Sequence, residues 1–327
     1  LNTLTQENFM QLKPAKLQID DPTRILVDRR KAVGDVIMIT PVLRELRHRY
    51  GPDAFIQVVT EETNVLENNT DVSQVVTPQQ MKATDAWDLY LNLNDAYEQN
   101  VKSHYVDAYL YRAFGTQIDD IDRTLILNTT EEEKQAVDEA LVDIGGPYVV
   151  LHMRRWAWEN KNVDPALWTM LMAWIEASYP DMRIISVGAQ YDLRVPGQLG
   201  SRYIDLVEQL SLGEIKYLIE NAKAFIGGDS GPYHIACTTD TPIVALLTHL
   251  DPEQILPWRD GEFGKDVHVV KSRVPCTGCY ARQKPPVRAL VCEQPKDQEW
   301  LCNKSFDFNE ITVALTNAIG KTHAELA

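Results

Sequence analysis

Four stretches of this chain have residue types and spacing that could do chemistry: a glycine turn, two basic turns and a late group of cysteines. The glycine turn is Gly227-Gly228-Asp229-Ser230-Gly231-Pro232. It follows the apolar run Ala224, Phe225, Ile226 and precedes Tyr233 to Cys237, which reads as a helix. Pro242 ends that helix, and Ile243 to Leu247 reads as a second buried strand. Strand, turn, helix and strand in such short compass make a βαβ unit. Glycines let backbone N–H groups approach a ligand, and a helix's first turn carries unpaired donors with partial positive charge. The turn therefore suits a phosphate. A tight turn with no ligand fits the same residues equally well.

The first basic turn, Arg29-Arg30-Lys31-Ala32-Val33-Gly34-Asp35, closes on a Gly-Asp pair. Asp35 is placed to take a proton as a general base, or to cap a helix beginning at Val36. On residue type alone the cap is the commoner job. The second turn runs from Arg154 to Lys161, RRWAWENK, and its guanidinium groups suit bidentate phosphate contacts. Asn92, Asn94, Asp95, Glu98 and His104 crowd together after the strand DLYLNL. They are candidates for an acceptor site, set against the plainer reading of a solvated loop. Asp120 and Asp122 form a D-x-D in a polar linker, and we read them as solvated acid.

Cys276, Cys279, Cys292 and Cys302 follow the pattern C-x2-C-x12-C-x9-C. The first pair has knuckle spacing, which lets two thiolates grip one tetrahedral ion. A four-thiolate set suits zinc or iron, as a structural clip and not a catalyst, and a pair of disulfides is the alternative. Cys237 stands apart inside the helix after the glycine turn and reads as a small core residue.

The elements that must position these residues alternate. Thr23 to Asp28 is a buried strand, followed by a helix from Val36 to Tyr50 with Pro41 inside its early turns. Phe55 to Thr60, Val72 to Thr77 and Leu89 to Leu93 are further strands, and Tyr105 to Phe114 has helical spacing. Thr129 or Thr130 caps the acidic helix TEEEKQAVDEALVDI, and Gly145-Gly146-Pro147 breaks the chain. The plan then repeats: strand Tyr148 to Met153, helix Pro165 to Tyr179, strand Arg183 to Gly188, a short strand near Tyr203, and a helix capped by Ser211. The expectation is an α/β chain of two doubly wound, Rossmann-like domains facing each other across a cleft, with ligands beyond the carboxyl ends of the strands. The domains are expected at 1–146, on the acceptor side, and 147–308, on the nucleotide-sugar side. The second carries a cysteine loop at 275–303, and 309–327 is a terminal helix.

Composition bounds the partners. The 327 residues suit two domains, and a formal net charge of −15 argues against non-specific attraction to nucleic acid or anionic lipid. No apolar run reaches the roughly 18–20 residues of a membrane span, so any membrane contact is expected to be peripheral. LNTLTQENFMQLKPAKL lacks the apolar core of a signal peptide, and the expected address is the cytoplasm.

RRKAVGDVIMITPVLRELRHRY, the W-x-x-K of Trp158 to Lys161, and FIGGDSGPYHIACTTDTPIVAL together resemble the heptosyltransferases, glycosyltransferase family 9. The likeness runs from about Arg24 to Leu247 with three motifs in order. It implies the GT-B fold and inverting transfer of a heptose from ADP-heptose to lipopolysaccharide or protein. It makes Asp35 the base, with Gly34 allowing close approach of the sugar. It assigns Lys161, Ser230, Gly231 and His234 to the diphosphate, and Asp229 to the turn or the sugar. Leu210 would pack on the nucleotide base, where a core leucine is the plain alternative. Arg154 and Arg155 stand where many relatives have small residues or a Thr pair. The four cysteines resemble the insertion of the autotransporter-modifying heptosyltransferases, which binds iron. No catalytic metal is implied, because lysine and helix dipole can stabilise the leaving diphosphate. Two other readings stay open: a phage-type glycosyltransferase acting on modified DNA, and a non-catalytic nucleotide-sugar-binding protein.

Overall fold

The computed structural model describes residues 23–81, 86–155, 158–194, 202–287 and 290–324. The polar lead-in, with the short amphipathic piece expected around Phe9 to Leu12, lies outside the described residues. The chain divides into two compact units, Leu1–Asn128 and Thr129–Ala327.

Unit 1 is built on β1 (Arg24–Asp28), α1 (Val33–Met38), α2 (Thr40–Tyr50), β2 (Phe55–Val59), β3 (Gln74–Val76), β4 (Leu89–Asn92), α3 (Ala96–Gln99) and α4 (Tyr105–Phe114). Its four strands are parallel in the order β3-β2-β1-β4. Ile25, Leu26 and Val27 of β1 are all buried, as a central parallel strand requires. The single helix expected over Val36 to Tyr50 is two helices, broken at Ile39. Pro41 has no N–H to give to the Ile37 carbonyl, and the Thr40 hydroxyl donates there instead at 2.8 Å. The first helix begins at Val33, three residues earlier than expected, so that Asp35 lies inside its first turn and does not cap it.

Unit 2 contains α5 (Glu131–Ile144), β5 (Tyr148–Leu151), α6 (Pro165–Ser178), β6 (Arg183–Ser186), β7 (Tyr203–Asp205), α7 (Leu212–Glu220), β8 (Phe225–Gly227), α8 (Gly231–Ala236) and β9 (Ile243–Leu247). A short hairpin of β10 (Trp258–Arg259) and β11 (Glu262–Phe263) follows, then β12 (Val267–Lys271) and α9 (Phe308–Ala324). The six-stranded sheet is parallel in the order β12-β9-β8-β5-β6-β7. Its core joins Val149, Leu151, Ile184, Ile226 and Val244 of the strands to Trp168, Leu171 and Ile175 of α6 and to Ile311, Leu315 and Ala318 of α9.

The acidic helix α5 belongs to this second unit, whereas the glycine break at 145–147 had been expected to end the first. Capping chemistry ties it there. Thr130 and Glu133 form a capping box on α5, and the Glu133 carboxylate also accepts from the hydroxyl of Ser211, the cap of α7, at 2.5 Å. Gly213 makes room for this contact: a Cβ there would lie 2.1 Å from Glu133 Oε2.

Candidate active site

In unit 1, the chain leaving β1 turns through Arg29 and Arg30 before entering α1. Arg29 is buried and forms an ion pair with Asp35. The Tyr109 hydroxyl on α4 accepts from Arg29 Nε at 3.0 Å and donates to Asp35 Oδ1 at 3.0 Å. Burial works against the charge on Arg29, but Asp35 and the neighbouring Tyr109 more than offset it, and its affinity for its proton rises. Arg29, Asp35 and Tyr109 thus form a closed buried triangle drawn from three elements. Burial pushes the Tyr109 hydroxyl well above its ordinary value, so it stays a donor.

Three expected acceptor residues lie next to this triangle. Asn94 is committed to the turn: its amide donates to the Asp28 carboxylate at 2.9 Å and its oxygen accepts from the Arg30 N–H at 3.1 Å. Asp95 holds a left-handed backbone, φ 56°, and turns the chain into α3. Glu98 on α3 has its Oε2 buried without a hydrogen-bond partner. Burial, then the nearby Asp35, pushes the Glu98 carboxyl up to about 7. Beside it Tyr97 stacks on Tyr105 with ring centroids 4.0 Å apart and meets Tyr109 edge-on.

In unit 2, the expected donor residues Arg154, Arg155 and Lys161 follow β5, and Asp229, Ser230, Gly231 and His234 follow β8, whereas Leu210 follows β7 and Gly34 lies in α1 of unit 1. Lys161, on a 3-10 turn over Glu159–Lys161, places its Nζ 2.5 Å from Asp229 Oδ2 and 5.3 Å from the centre of the Trp158 ring. His234 Nε2 lies 3.3 Å from Asp229 Oδ1. Burial would raise the Asp229 carboxyl, but Lys161 and His234 outweigh it and hold it far below its usual range. Ser230 caps α8, its hydroxyl accepting the Tyr233 N–H, and lies 2.9 Å from the Gly228 carbonyl. Arg154 donates to Asn162 at 2.6 Å and to the Trp158 carbonyl at 3.1 Å. Burial lowers its affinity for its proton, against the pull of Asp229 and Asp192. Arg155 is exposed and Leu210 half-buried.

Sequence reasoning missed three residues here. His152, the first residue after β5, has Nδ1 2.9 Å from Ser230 Oγ and Nε2 3.0 Å from Asp192 Oδ2. Its place at the end of a buried strand was the one signal available; Asp192, in a loop, offered none. His249, two residues past β9, is buried with Nε2 unpartnered, and burial followed by Lys161 lowers it to about 3. It is a neutral imidazole beside the Lys161–Asp229 pair.

The four cysteines carry no disulfide, and among the described residues no three His, Cys, Asp or Glu side chains are placed to hold a metal ion. The thiols are nonetheless within electrostatic reach of one another. Burial, then the other three cysteines, pushes Cys302 up to about 12, and burial, then Cys276, pushes Cys279 up to about 11. The segment has several anchors besides its cysteines. Arg282 donates to the Cys276 carbonyl and to Glu293, each at 3.0 Å, and Tyr280 is buried against the His249 ring. Asn303 donates to the Glu159 carbonyl at 2.8 Å, so the segment also braces the Lys161 turn. No helix among the described residues is long and apolar enough to cross a membrane.

Solved structures of other proteins share this fold. A crystal structure of a glycosyl transferase family 9 protein from Veillonella parvula covers 91% of this chain and 98% of its own, with a TM-score of 0.70 at 16% identity. The iron-containing dodecameric glycosyltransferase TibC of enterotoxigenic E. coli covers 92% and 80%, with a TM-score of 0.69 at 14% identity. The ADP-heptose lipopolysaccharide heptosyltransferase II of E. coli covers 90% and 99%, with a TM-score of 0.61 at 15% identity. At these identities they establish the fold, an α/β chain of the GT-B class. No curated protein sequence matches the chain. The model of the family described as glycosyltransferase family 9 (heptosyltransferase) matches residues 81–286, more than half of the chain. The chain belongs to glycosyltransferase family 9.

Proposed function

We propose that this glycosyltransferase moves a heptose from ADP-heptose, with inversion, onto a glycan, a lipopolysaccharide core or a protein. The observation that carries the donor half is the Lys161–Asp229–His234 group, with its aspartate and histidine buried, in the connections after β5 and β8 and inside the span matched to the family. The sugar is suggested by the neighbours, among them TibC in complex with ADP-D-beta-D-heptose.

In this reading Asp35 takes the proton of the acceptor hydroxyl as its oxygen attacks the anomeric carbon. The bond from that carbon to the phosphate oxygen breaks, and its electron pair leaves with the diphosphate. Lys161, with Arg154 and Arg155, supplies positive charge to that group, while Ser230 and Gly231 meet its oxygens. Leu210 packs on the base, Gly34 lets the backbone approach the donor sugar, and Asn94, Asp95 and Glu98 belong to the acceptor side. Asp35 lies outside the matched span, so its role is supported by the Arg29–Asp35–Tyr109 triangle alone.

The four cysteines complete the proposal as a structural clip. TibC is iron-containing. Here Cys276, Cys279, Cys292 and Cys302 are the residues that would hold one zinc or iron ion, a four-thiolate donor set suited to either, and no step of the transfer runs through it.

The deciding experiment incubates the full chain with a panel of nucleotide sugars, ADP-heptose included, and measures hydrolysis, then transfer to lipid A-core, protein and modified-DNA acceptors. ADP-heptose is expected to be turned over fastest. Binding without hydrolysis or transfer would make the chain a nucleotide-sugar-binding protein, and transfer confined to DNA would overturn the acceptor assignment.

A further inference from the structure

Nothing in the transfer just described uses His152, yet it is the centre of a buried chain of hydrogen bonds. Ser230, His152 and Asp192 follow the carboxyl ends of three neighbouring strands, β8, β5 and β6. His152 is 2% exposed, with Nδ1 2.9 Å from Ser230 Oγ and Nε2 3.0 Å from Asp192 Oδ2. Asp192 is held from several sides: its Oδ2 accepts the Ala189 N–H at 2.8 Å and its Oδ1 the Arg155 N–H at 3.0 Å. Gly188 admits it, since a Cβ there would lie 2.5 Å from Oδ2. Burial would raise the Asp192 carboxyl, but the bond and charge of His152, with these N–H groups, hold it below its usual value.

The protons of this chain can be counted. Asp192 as a carboxylate only accepts, so His152 carries a hydrogen on Nε2. In neutral His152, Nδ1 is then an acceptor and draws the single hydrogen of the Ser230 hydroxyl. The second acceptor in reach of that hydroxyl is the Gly228 carbonyl, at 2.9 Å. An anion that uses Ser230 as a donor needs the same hydrogen. It becomes available when Nδ1 holds a hydrogen of its own and donates to Ser230 Oγ, which makes His152 an imidazolium.

We propose that His152 takes up a proton when a diphosphate occupies Ser230, so that Asp192, His152 and Ser230 couple anion binding to protonation. This rests on the nucleotide-sugar reading of the site. Asp192 faces His152 directly, Arg154 interacts with Asp192 and with Asp229, the residue before Ser230, and Lys161 pairs with Asp229. The incoming anion adds negative charge to this balance and favours the imidazolium. His249 marks the place for a ligand independently of the Ser–His–Asp chain. It is 2% exposed, its Nε2 has no partner, and it interacts with Lys161, Asp229 and Arg154. His152 is thus a positioning residue, acting on the diphosphate through Ser230.

The test uses ADP with the full-length chain at about pH 8, where the terminal phosphate of ADP is already ionised. Nitrogen-15 spectra of the histidine rings should show Nδ1 of His152 passing from acceptor to protonated on ADP addition. Calorimetry in two buffers of different ionisation heat should show uptake of up to about one proton per ADP. His152→Gln should abolish the uptake and Asp192→Asn should reduce it. ADP bound with His152 still neutral and no proton taken up would overturn the coupling and leave the donor site standing. Failure of ADP to bind at millimolar concentration would instead remove the donor reading, and the coupling with it. Should His152→Gln not fold, the ring spectrum of the unmodified protein decides alone.

Discussion

Asp35 and Glu98 are two carboxyl groups in one buried neighbourhood with unlike surroundings. Both oxygens of Asp35 are engaged, by Arg29 and by the Tyr109 hydroxyl, whereas Oε2 of Glu98 has no partner. If Asp35 is the base, Asp35→Asn should keep ADP binding within a few-fold while turnover falls by roughly 10²–10⁴. A folded variant with near-normal turnover would reduce Asp35 to the partner of Arg29. Glu98 makes a different prediction, about stability. Its folded value near 7 lies above the ordinary 4.5, so between about pH 4.5 and 7 the folded protein holds a proton that the unfolded chain has lost. Stability should therefore fall as pH rises through that window, by an amount on the order of 1–3 kcal/mol. Glu98→Gln removes the titration. In urea unfolding, the variant's stability relative to the parent should be higher at pH 8 than at pH 5 by about that amount. An unchanged difference would mean that Glu98 is solvated.

At the scale of elements, the segment carrying the four cysteines is the one whose state bears on the rest. It braces the Lys161 turn through Asn303 and lies on His249 through Tyr280. With Cys279 and Cys302 raised to about 11 and 12, these thiols are protonated near neutral pH, so binding an ion must release protons and tighten as pH rises. Purified protein is expected to carry about one zinc or iron per chain. Cys279→Ser should release the ion and loosen the segment while both units stay folded. Elemental analysis that finds no metal, with the thiols freely titratable, would leave Arg282 and Asn303 as its anchors.

For the whole molecule, charge decides between classes of partner. The net charge of −15 repels nucleic acid unless basic groups gather in one unpaired patch. In the first basic turn they do not. Arg29 faces Asp35, Arg30 faces Asp28, and Lys31 lies 3.8 Å from Glu61. The chain is expected not to bind duplex DNA at physiological salt. A gel shift with an affinity tighter than about 10 μM would contradict this and revive the DNA-modifying alternative.

Much was legible from local rules. Buried strands announced themselves as short apolar runs, because parallel strands are covered on both faces, and the caps at Thr130 and Ser211 are matters of residue type at a helix start. The glycine turn and the W-x-x-K motif marked the proposed donor site because each lies in the connection that follows a parallel strand, β8 and β5. Tertiary structure decided the rest. By residue type Asp35 read more readily as a helix cap than as a base; the structure starts α1 at Val33, which puts Asp35 inside the helix and in contact with Tyr109 of another helix. Glu98 read as loop polarity until burial stranded its oxygen. His152 and Asp192 are 40 residues apart and meet because β5 and β6 pair side by side, which no local pattern records.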